Sequence, residues 1–248
     1  MPYNLKSETD VKEYITNLGI EYRFGCYSEK NPEVCHLLGD YLEAIDKDFQ
    51  KAARVYQTNC DDYKYPKSCY KYGAYSLLGK GVKKQDYKEA YKYFEKGCNL
   101  NNPESCLHQG LLLVSNNSSN GISPNILKGM SLLEKACTEK NANACYYISG
   151  MYISGVRKPN VKTKANEEVG EDSYEVKKDM KQAYKYTLEG CNLGNIYSCA
   201  NLSQMYARGD GVEKNQELAE KYKKIALEMQ EEMTSQKTLT FGQGLENS

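Results

Sequence analysis

The stretch Asp86-Tyr87-Lys88-Glu89-Ala90-Tyr91-Lys92-Tyr93-Phe94-Glu95-Lys96-Gly97-Cys98 returns at its key places as Asp179-Met180-Lys181-Gln182-Ala183-Tyr184-Lys185-Tyr186-Thr187-Leu188-Glu189-Gly190-Cys191. An Asp twelve places before the cysteine suits a helix N-cap, because its carboxylate accepts from the unpaired amides of the first turn. An Ala eight places before it is the small residue that a close helix crossing needs. Looser copies end at Cys60 and Cys137, with Asp48 and Asn125 as caps and Ala52 and Gly129 as the small residues. The unit closes on a cysteine, so cysteine spacing measures the repeat.

The ten cysteines form five couples, Cys26 with Cys35, Cys60 with Cys69, Cys98 with Cys106, Cys137 with Cys145 and Cys191 with Cys199, with seven or eight residues inside each. First members recur after 34, 38, 39 and 54 residues, the last interval holding a charged insertion from Val156 to Val176. Past each second cysteine an apolar helix pattern follows: Leu38-Gly39-Asp40-Tyr41-Leu42, Tyr72-Gly73-Ala74-Tyr75-Ser76, Gln109-Gly110-Leu111-Leu112-Leu113, Ile148-Ser149-Gly150-Met151-Tyr152 and Leu202-Ser203-Gln204-Met205-Tyr206. Its second place is always Gly or Ser, again a close-crossing signal. Two copies end in Gly79-Lys80-Gly81-Val82 and Gly209-Asp210-Gly211-Val212, which supply the positive φ angles that stop a helix. Calling these helices A and the capped ones B gives five A/B pairs, preceded by a lone helix near Asp10 to Tyr22. The fifth B helix, from about Asn215 to Met233, carries Leu227 in the place of the cysteine.

Each couple joins the end of one B-type helix to the start of the next A helix. A bridge needs Cα atoms about 4.4–6.8 Å apart, closer than the usual 8–10 Å between helix axes, and Gly97, Ala136 and Gly190 beside the first cysteines leave that room. The spacing reads as five local disulfides, each worth about 2.6 kcal/mol by the chain-entropy relation for a nine-residue loop. The alternatives are buried thiols at helix crossings in a reduced protein and, more weakly, zinc, since the couples lack the two-to-four-residue knuckle and the chain has two histidines. The fold class is all-α, a right-handed αα-hairpin solenoid of five repeats. It divides into a capping helix and first bridged turn over 1–31, the repeats over 32–232 with the insertion 156–176, and a flexible tail over 233–248.

Thirty-three basic and thirty-three acidic side chains cancel, which removes the global field that nucleic acid or an anionic membrane would require. No run of eighteen apolar residues suggests a membrane span. The start, Met1 to Asp10, lacks the apolar core of a secretory signal and the arginine-rich character of a matrix-targeting peptide. Disulfides without a secretory route point to the mitochondrial intermembrane space, which retains small cysteine-rich proteins by oxidising them; a thiol oxidase relay would then be a partner during import. Acceptor triplets at Asn116, Asn117 and Asn201 are the one glycosylation signal, and Asn201 falls inside helix A5, where a sugar would obstruct packing.

The Leu-Gly-x-x-Tyr, Gly-x-Gly-Val and Asp-x-x-Lys-Ala-x-x-Tyr elements resemble Sel-like repeats, an αα solenoid related to tetratricopeptide arrays. With the cysteine couples added, the pattern resembles the cysteine-rich subclass that includes the bacterial Hcp β-lactamase group. Phe24 to Cys35, Ser68 to Tyr75, Cys199-Ala200-Asn201 and Leu239-Thr240-Phe241-Gly242 are similar to the metazoan cytochrome c oxidase assembly factors of this subclass. The resemblance implies an intermembrane-space factor for respiratory complex IV biogenesis, with complex IV subunits or other assembly factors as protein partners. A haem-linked thiol-disulfide reductase in the same pathway, or a bacterial-type secreted repeat protein, are the alternatives it carries.

Haem directs attention to the histidines. His36 and His108 lie two repeats apart, on the order of 20 Å, and do not share one iron. Where haem-binding relatives place histidines on helix A3 this chain has Leu107 and Val114, with His108 displaced by about 100° around the helix. His108 is the haem candidate, and an ordinary partly exposed histidine the plainer reading. Ser68-Cys69-Tyr70-Lys71 matches the S-x-x-K of penicillin-recognising enzymes, but without S-D-N or K-T-G a helix-start serine cap explains it. The expected function is that of a monomeric adaptor, shaped to hold a protein segment rather than to close over a small molecule, with no catalytic residue or metal. Tyr41, Tyr75, Tyr147, Tyr152, Tyr197 and Tyr206 are the candidate partner contacts.

Overall fold

The computed structural model describes residues 4, 6–115, 120–158 and 173–238, with side chains to 235. Among the described residues eleven helices and one short hairpin fall into two compact units, residues 1–123 and 124–248, over which the expected 32–232 array is distributed. The first unit holds α1 (Glu8–Tyr27), α2 (Pro32–Ala44), α3 (Phe49–Asp61), α4 (Pro66–Leu78), α5 (Tyr87–Asn99) and α6 (Pro103–Val114). The second holds α7 (Ile126–Thr138), α8 (Ala142–Ser154), β1 (Val156–Arg157), β2 (Tyr174–Val176), α9 (Met180–Asn192), α10 (Ile196–Arg208) and α11 (Gln216–Thr238). The A helices are α2, α4, α6, α8 and α10. The lone first helix is longer than expected, because Ser7 caps it and it continues far enough to carry Cys26 on its last turn. Helix α11 likewise continues to Thr238, past the expected tail boundary at 233; residues 239–248 lie outside the described residues, as do 159–172 of the insertion.

Local chemistry explains the boundaries. Asp48, Asp86, Asn125 and Asp179 each accept first-turn amides, as the sequence predicts. Asn31, Asn102, Asn141 and Asn195 do the same for A helices. Helix α4 is the exception: Tyr65 holds the cap place without a side-chain bond, and Ser68 sits three residues into the helix rather than capping it. The residue before each of these five caps, Lys30, Lys64, Asn101, Lys140 or Gly194, has positive φ.

All ten cysteines are paired, in the five couples read from the spacing. The Cα atoms of Cys26 and Cys35 are 4.5 Å apart, those of Cys60 and Cys69 4.8 Å, and those of Cys98 and Cys106 4.6 Å. In the second unit Cys137 and Cys145 stand at 4.8 Å and Cys191 and Cys199 at 4.6 Å, so the reading of free, buried thiols does not hold. In every bridged turn the amide of the cap residue donates to the carbonyl of the residue before the first cysteine: Asn31 to Gly25, Tyr65 to Asn59, Asn102 to Gly97, Asn141 to Ala136 and Asn195 to Gly190.

Within each unit the core is a ladder. The residue three past the second cysteine, such as Leu38, Ile148 (three past Cys145) or Leu202, is fully buried, as are Tyr56, Phe94, Leu133 and Thr187, eight past the B-helix cap. The Gly/Ser place lies beneath these: a Cβ on Gly39 would enter the Tyr56 ring, and one on Gly73 would stand 2.7 Å from the Phe94 ring. The insertion is pinched shut by β1 and β2, antiparallel with Val156 opposite Val176.

Three variants check this packing. Gly73→Ala should lose about 1–3 kcal/mol in urea unfolding, because the rigid Phe94 ring outweighs the helix-propensity gain. Gly150→Ala, on α8 with nothing within 4 Å of the added carbon, should instead gain about 0.5–1 kcal/mol. Replacing Cys98 and Cys106 together by Ala should cost about 2–3 kcal/mol, read as a lower urea midpoint.

Candidate functional site

In the first unit the A/B spacing gathers charge around one buried phenol. Tyr56 donates to Asp40 at 2.6 Å. Lys71 bridges Asp40 at 3.0 Å and Glu43 at 2.9 Å, while Lys80 reaches Glu43 at 2.7 Å and lies over the Phe49 ring. Burial pushes the Tyr56 hydroxyl up, and its bond to Asp40 adds to the shift. Burial alone would raise the Glu43 carboxyl, but hydrogen bonds from Lys80 and Lys71 hold it down at about 2. These side chains neutralise one another and tie α2, α3 and α4 together.

His36 adds a constellation that looks catalytic and is closed. Its Nδ1 lies 3.0 Å from Ser68 Oγ and its Nε2 3.7 Å from Asp40. Ser68 is 0% exposed and its oxygen also accepts from Asn59 Nδ2 at 2.8 Å, so no acyl group can reach it. Lys71, the lysine of the S-x-x-K match, is committed to Asp40 and Glu43. The serine is a packing residue that bonds Asn59 Nδ2 and His36 Nδ1.

His108 stacks on Phe94 with ring centroids 5.2 Å apart and packs against Tyr70 at 5.5 Å. Burial lowers its basicity. Phe94 and Tyr70 stand 6.1 Å from each other, so the three rings form a triangle in which His108 packs as an aromatic neighbour, while His36 is engaged by Ser68 and every cysteine is bridged. Among the described residues no group of three His, Cys, Asp or Glu is placed to hold a metal ion, and no helix is long and apolar enough to cross a membrane.

The six tyrosines separate by environment. Tyr75 and Tyr206 are buried in the cores of their units and are not available for contact; burial, then the Tyr184 hydroxyl 2.8 Å away, pushes Tyr206 up to about 12. Tyr41 is half-buried against Tyr22 beneath Arg23, and Tyr152 stacks on Tyr186. Tyr147 and Tyr197 are exposed, and Tyr146 lies between them with centroids 5.5 and 5.6 Å away.

Tyr197 also borders a groove of about 850 Å³ within the second unit, between α10 and α11. Its walls include Ala200, Ala226, Leu227 and Met233, with Leu227 50% and Met233 48% exposed. Lys223 is the one charged side chain among the described residues that line it. The α11 contribution is missing from the sequence reading, although Leu227 in a cysteine's place, with nothing to bridge, is its trace.

Comparison with known proteins places this architecture. The Sel1 repeat model matches residues 66–102, 110–141, 168–195 and 196–229, and its first match runs from an A helix to the next cap. The cytochrome c oxidase assembly factor 7 homolog of Drosophila melanogaster is 55% identical over 99% of this chain and 98% of its own length. Cytochrome c oxidase assembly factor 7 of Xenopus tropicalis is 39% identical over 97% and 98%. The chain belongs to the cytochrome c oxidase assembly factor 7 family of Sel1-repeat proteins. A Sel1 repeat protein from Oxalobacter formigenes shares the fold of this family member, with a TM-score of 0.68 at 22% identity over 87% of this chain and 82% of that one.

The charge cluster gives a pH test. Glu43 is depressed from its ordinary 4.5 in the folded state, so its stabilisation is complete above about pH 4.5 and disappears as pH falls towards 2. The stability difference between the unaltered chain and Glu43→Gln, followed by urea unfolding, should be constant near neutrality and shrink through that window; a difference unchanged at pH 3 would contradict the assignment.

Proposed function

We propose that this chain supports cytochrome c oxidase assembly in the mitochondrial intermembrane space, as a disulfide-braced scaffold that holds a protein segment. The observation that carries the reading is the use of all ten cysteines in five local bridges, none more than 8% exposed, in a chain whose full-length relatives are named for that assembly. Such bridges persist only in oxidising compartments, and among mitochondrial ones this favours the intermembrane space, where a thiol oxidase would take the two electrons and two protons released by each couple. Complex IV subunits or other assembly factors are the expected partners. An exposed, largely apolar groove with Lys223 as the one charge in its described lining supports a protein segment as the thing held. Tyr147 and Tyr197, the two candidate tyrosines that remain exposed, are the contacts this reading retains.

Protein isolated from mitochondria should have an intact mass below that of its reduced form by ten hydrogens and should take up no N-ethylmaleimide before reduction. Several freely alkylated cysteines in the native protein would overturn the proposal. In Drosophila cells depleted of the relative, assembled cytochrome c oxidase on native gels should fall and be restored by this chain.

A further inference from the structure

We infer that the groove between α10 and α11 is the seat of a sixth A-type helix supplied by a partner polypeptide. The segment would be an amphipathic helix with an Asn, Asp or Ser cap, a small residue at its third position, and neither Lys nor Arg on its buried face. This rests on the scaffold reading above and specifies what the scaffold holds.

Repeat geometry points to this seat. Three of the contacts that seat the start of α10 against α8 and α9 define the seat: Asn195 Nδ2 donates to Asn143 Oδ1 at 2.9 Å, the Tyr197 ring lies 5.6 Å from Tyr146, and Ser198 fills the space over Gly190, where a Cβ would come 2.5 Å from its Oγ. Advancing that seat by one repeat takes Asn143 to Tyr197, Tyr146 to Ala200, Gly190 to Ala226 and Cys191 to Leu227. All four of the advanced residues line the groove. The interface that receives α10 therefore continues one step further, with no A helix of this chain described in it.

The walls also define the occupant. Ala226 stands where Gly97, Ala136 and Gly190 stand in bridged turns, opposite Ser105, Ala144 and Ser198 at the third helical position, so Ser or Ala fits there. Leu227 is 50% exposed, whereas Cys191 at the equivalent place is 8% exposed, which marks an apolar contact left unfilled. The leucine also means that the partner docks without a disulfide. Helix α11 has 23 residues against 13 in α9, and Gln230 and Met233 on its extra length continue the seat. Lys223, the one charge in the described lining, disfavours a basic face and accommodates an acidic one.

The probe is an acetylated, fluorescent peptide of Asn195–Arg208 with Cys199→Ala, stapled on its outward face, because that sequence fills the preceding seat. It should bind the full chain saturably by anisotropy and lose about tenfold or more in affinity when Leu227→Glu and Met233→Glu are combined. Lys in place of the peptide's Ser198 should weaken it comparably. Circular dichroism and the urea midpoint of the double variant should match the unaltered chain, since both leucine and methionine are half exposed. No binding up to about 1 mM, or binding indifferent to the double variant, would overturn the inference. A dimer in light scattering that the double variant converts to monomer would assign the groove to a second copy and overturn it too. In depleted cells, a double variant that restores the oxidase as well as the unaltered chain would reject the groove while leaving the assembly reading intact. Failure of the unaltered chain would instead count against the assembly reading, and the peptide alone would then judge the groove.

Discussion

The structure depends on holding the end of one helix within 5 Å of the start of the next, at Cα level, five times over. Helices packed through side chains stand about 8–10 Å apart, so this approach exists only where a covalent bond or very small residues permit it. Both are present. Beside the sulfurs, Gly25 faces Val34, Gly97 faces Ser105 and Gly190 faces Ser198, each close enough that a Cβ on the glycine would collide. In the second turn Asn59 faces Ser68 instead, and the pair hydrogen-bonds, which is why Ser68 is drawn into the core and away from any capping or catalytic use. The covalent corner thus selects its neighbours: each turn tolerates one small partner and one that fits it.

A fold cornered in this way can build its core from tyrosine. A phenol buried against a neighbouring helix needs a partner for its hydroxyl, and rigid corners keep that partner in place. Tyr56 finds Asp40, Tyr93 finds Asp61 at 2.7 Å, and Tyr186 finds Glu134 at 3.2 Å. The carboxylates are in turn paired with lysines, as Asp61 is with Lys96 and Asp40 with Lys71. Loss of a corner would loosen such pairs, whose charged groups are about a third exposed and already partly screened by water. Covalent and polar stabilisation are therefore coupled, and reducing conditions would weaken both together.

Much of this was legible because it repeats. The cysteine couples, the four B-helix caps and the Gly/Ser crossing place each recur at fixed offsets, so a coincidence in one copy is checked by the others. Features without recurrence were not legible. Lys30, Lys64 and Lys140 adopt left-handed conformations that sequence assigns to Gly or Asn, because the bridged turn imposes φ on whatever residue precedes the cap. The burial of Tyr75 and Tyr206, against the exposure of Tyr147 and Tyr197, depends on which face each A helix turns to its neighbours, and all four read alike as tyrosines on periodic helices. The groove was hidden for a related reason: one of its walls is α11, where Leu227 breaks the cysteine pattern without showing what the exposed face is for.

The two kinds of connection in each repeat obey different rules, and the difference explains how the insertion is accommodated. Turns from B to A vary by a single residue, the bridged cysteines standing eight or nine positions apart. Loops from A to B vary, yet four of the five close on one repeated hydrogen bond, in which the B-helix cap donates its amide to the carbonyl seven residues past the second cysteine. Asp48 reaches Leu42, Asp86 reaches Ser76, Asp179 reaches Tyr152 and Asn215 reaches Tyr206, at 2.8 to 3.0 Å, across separations of 6, 10, 27 and 9 residues. Loop-closure entropy grows only logarithmically, so lengthening such a loop from 10 to 27 residues costs on the order of 1 kcal/mol. The β1/β2 neck reduces even that by pairing Val156 with Val176 before the excursion begins. Variation in this fold is therefore broad on the A-to-B side and confined to one residue on the B-to-A side, where the bridge closes over a separation of eight or nine.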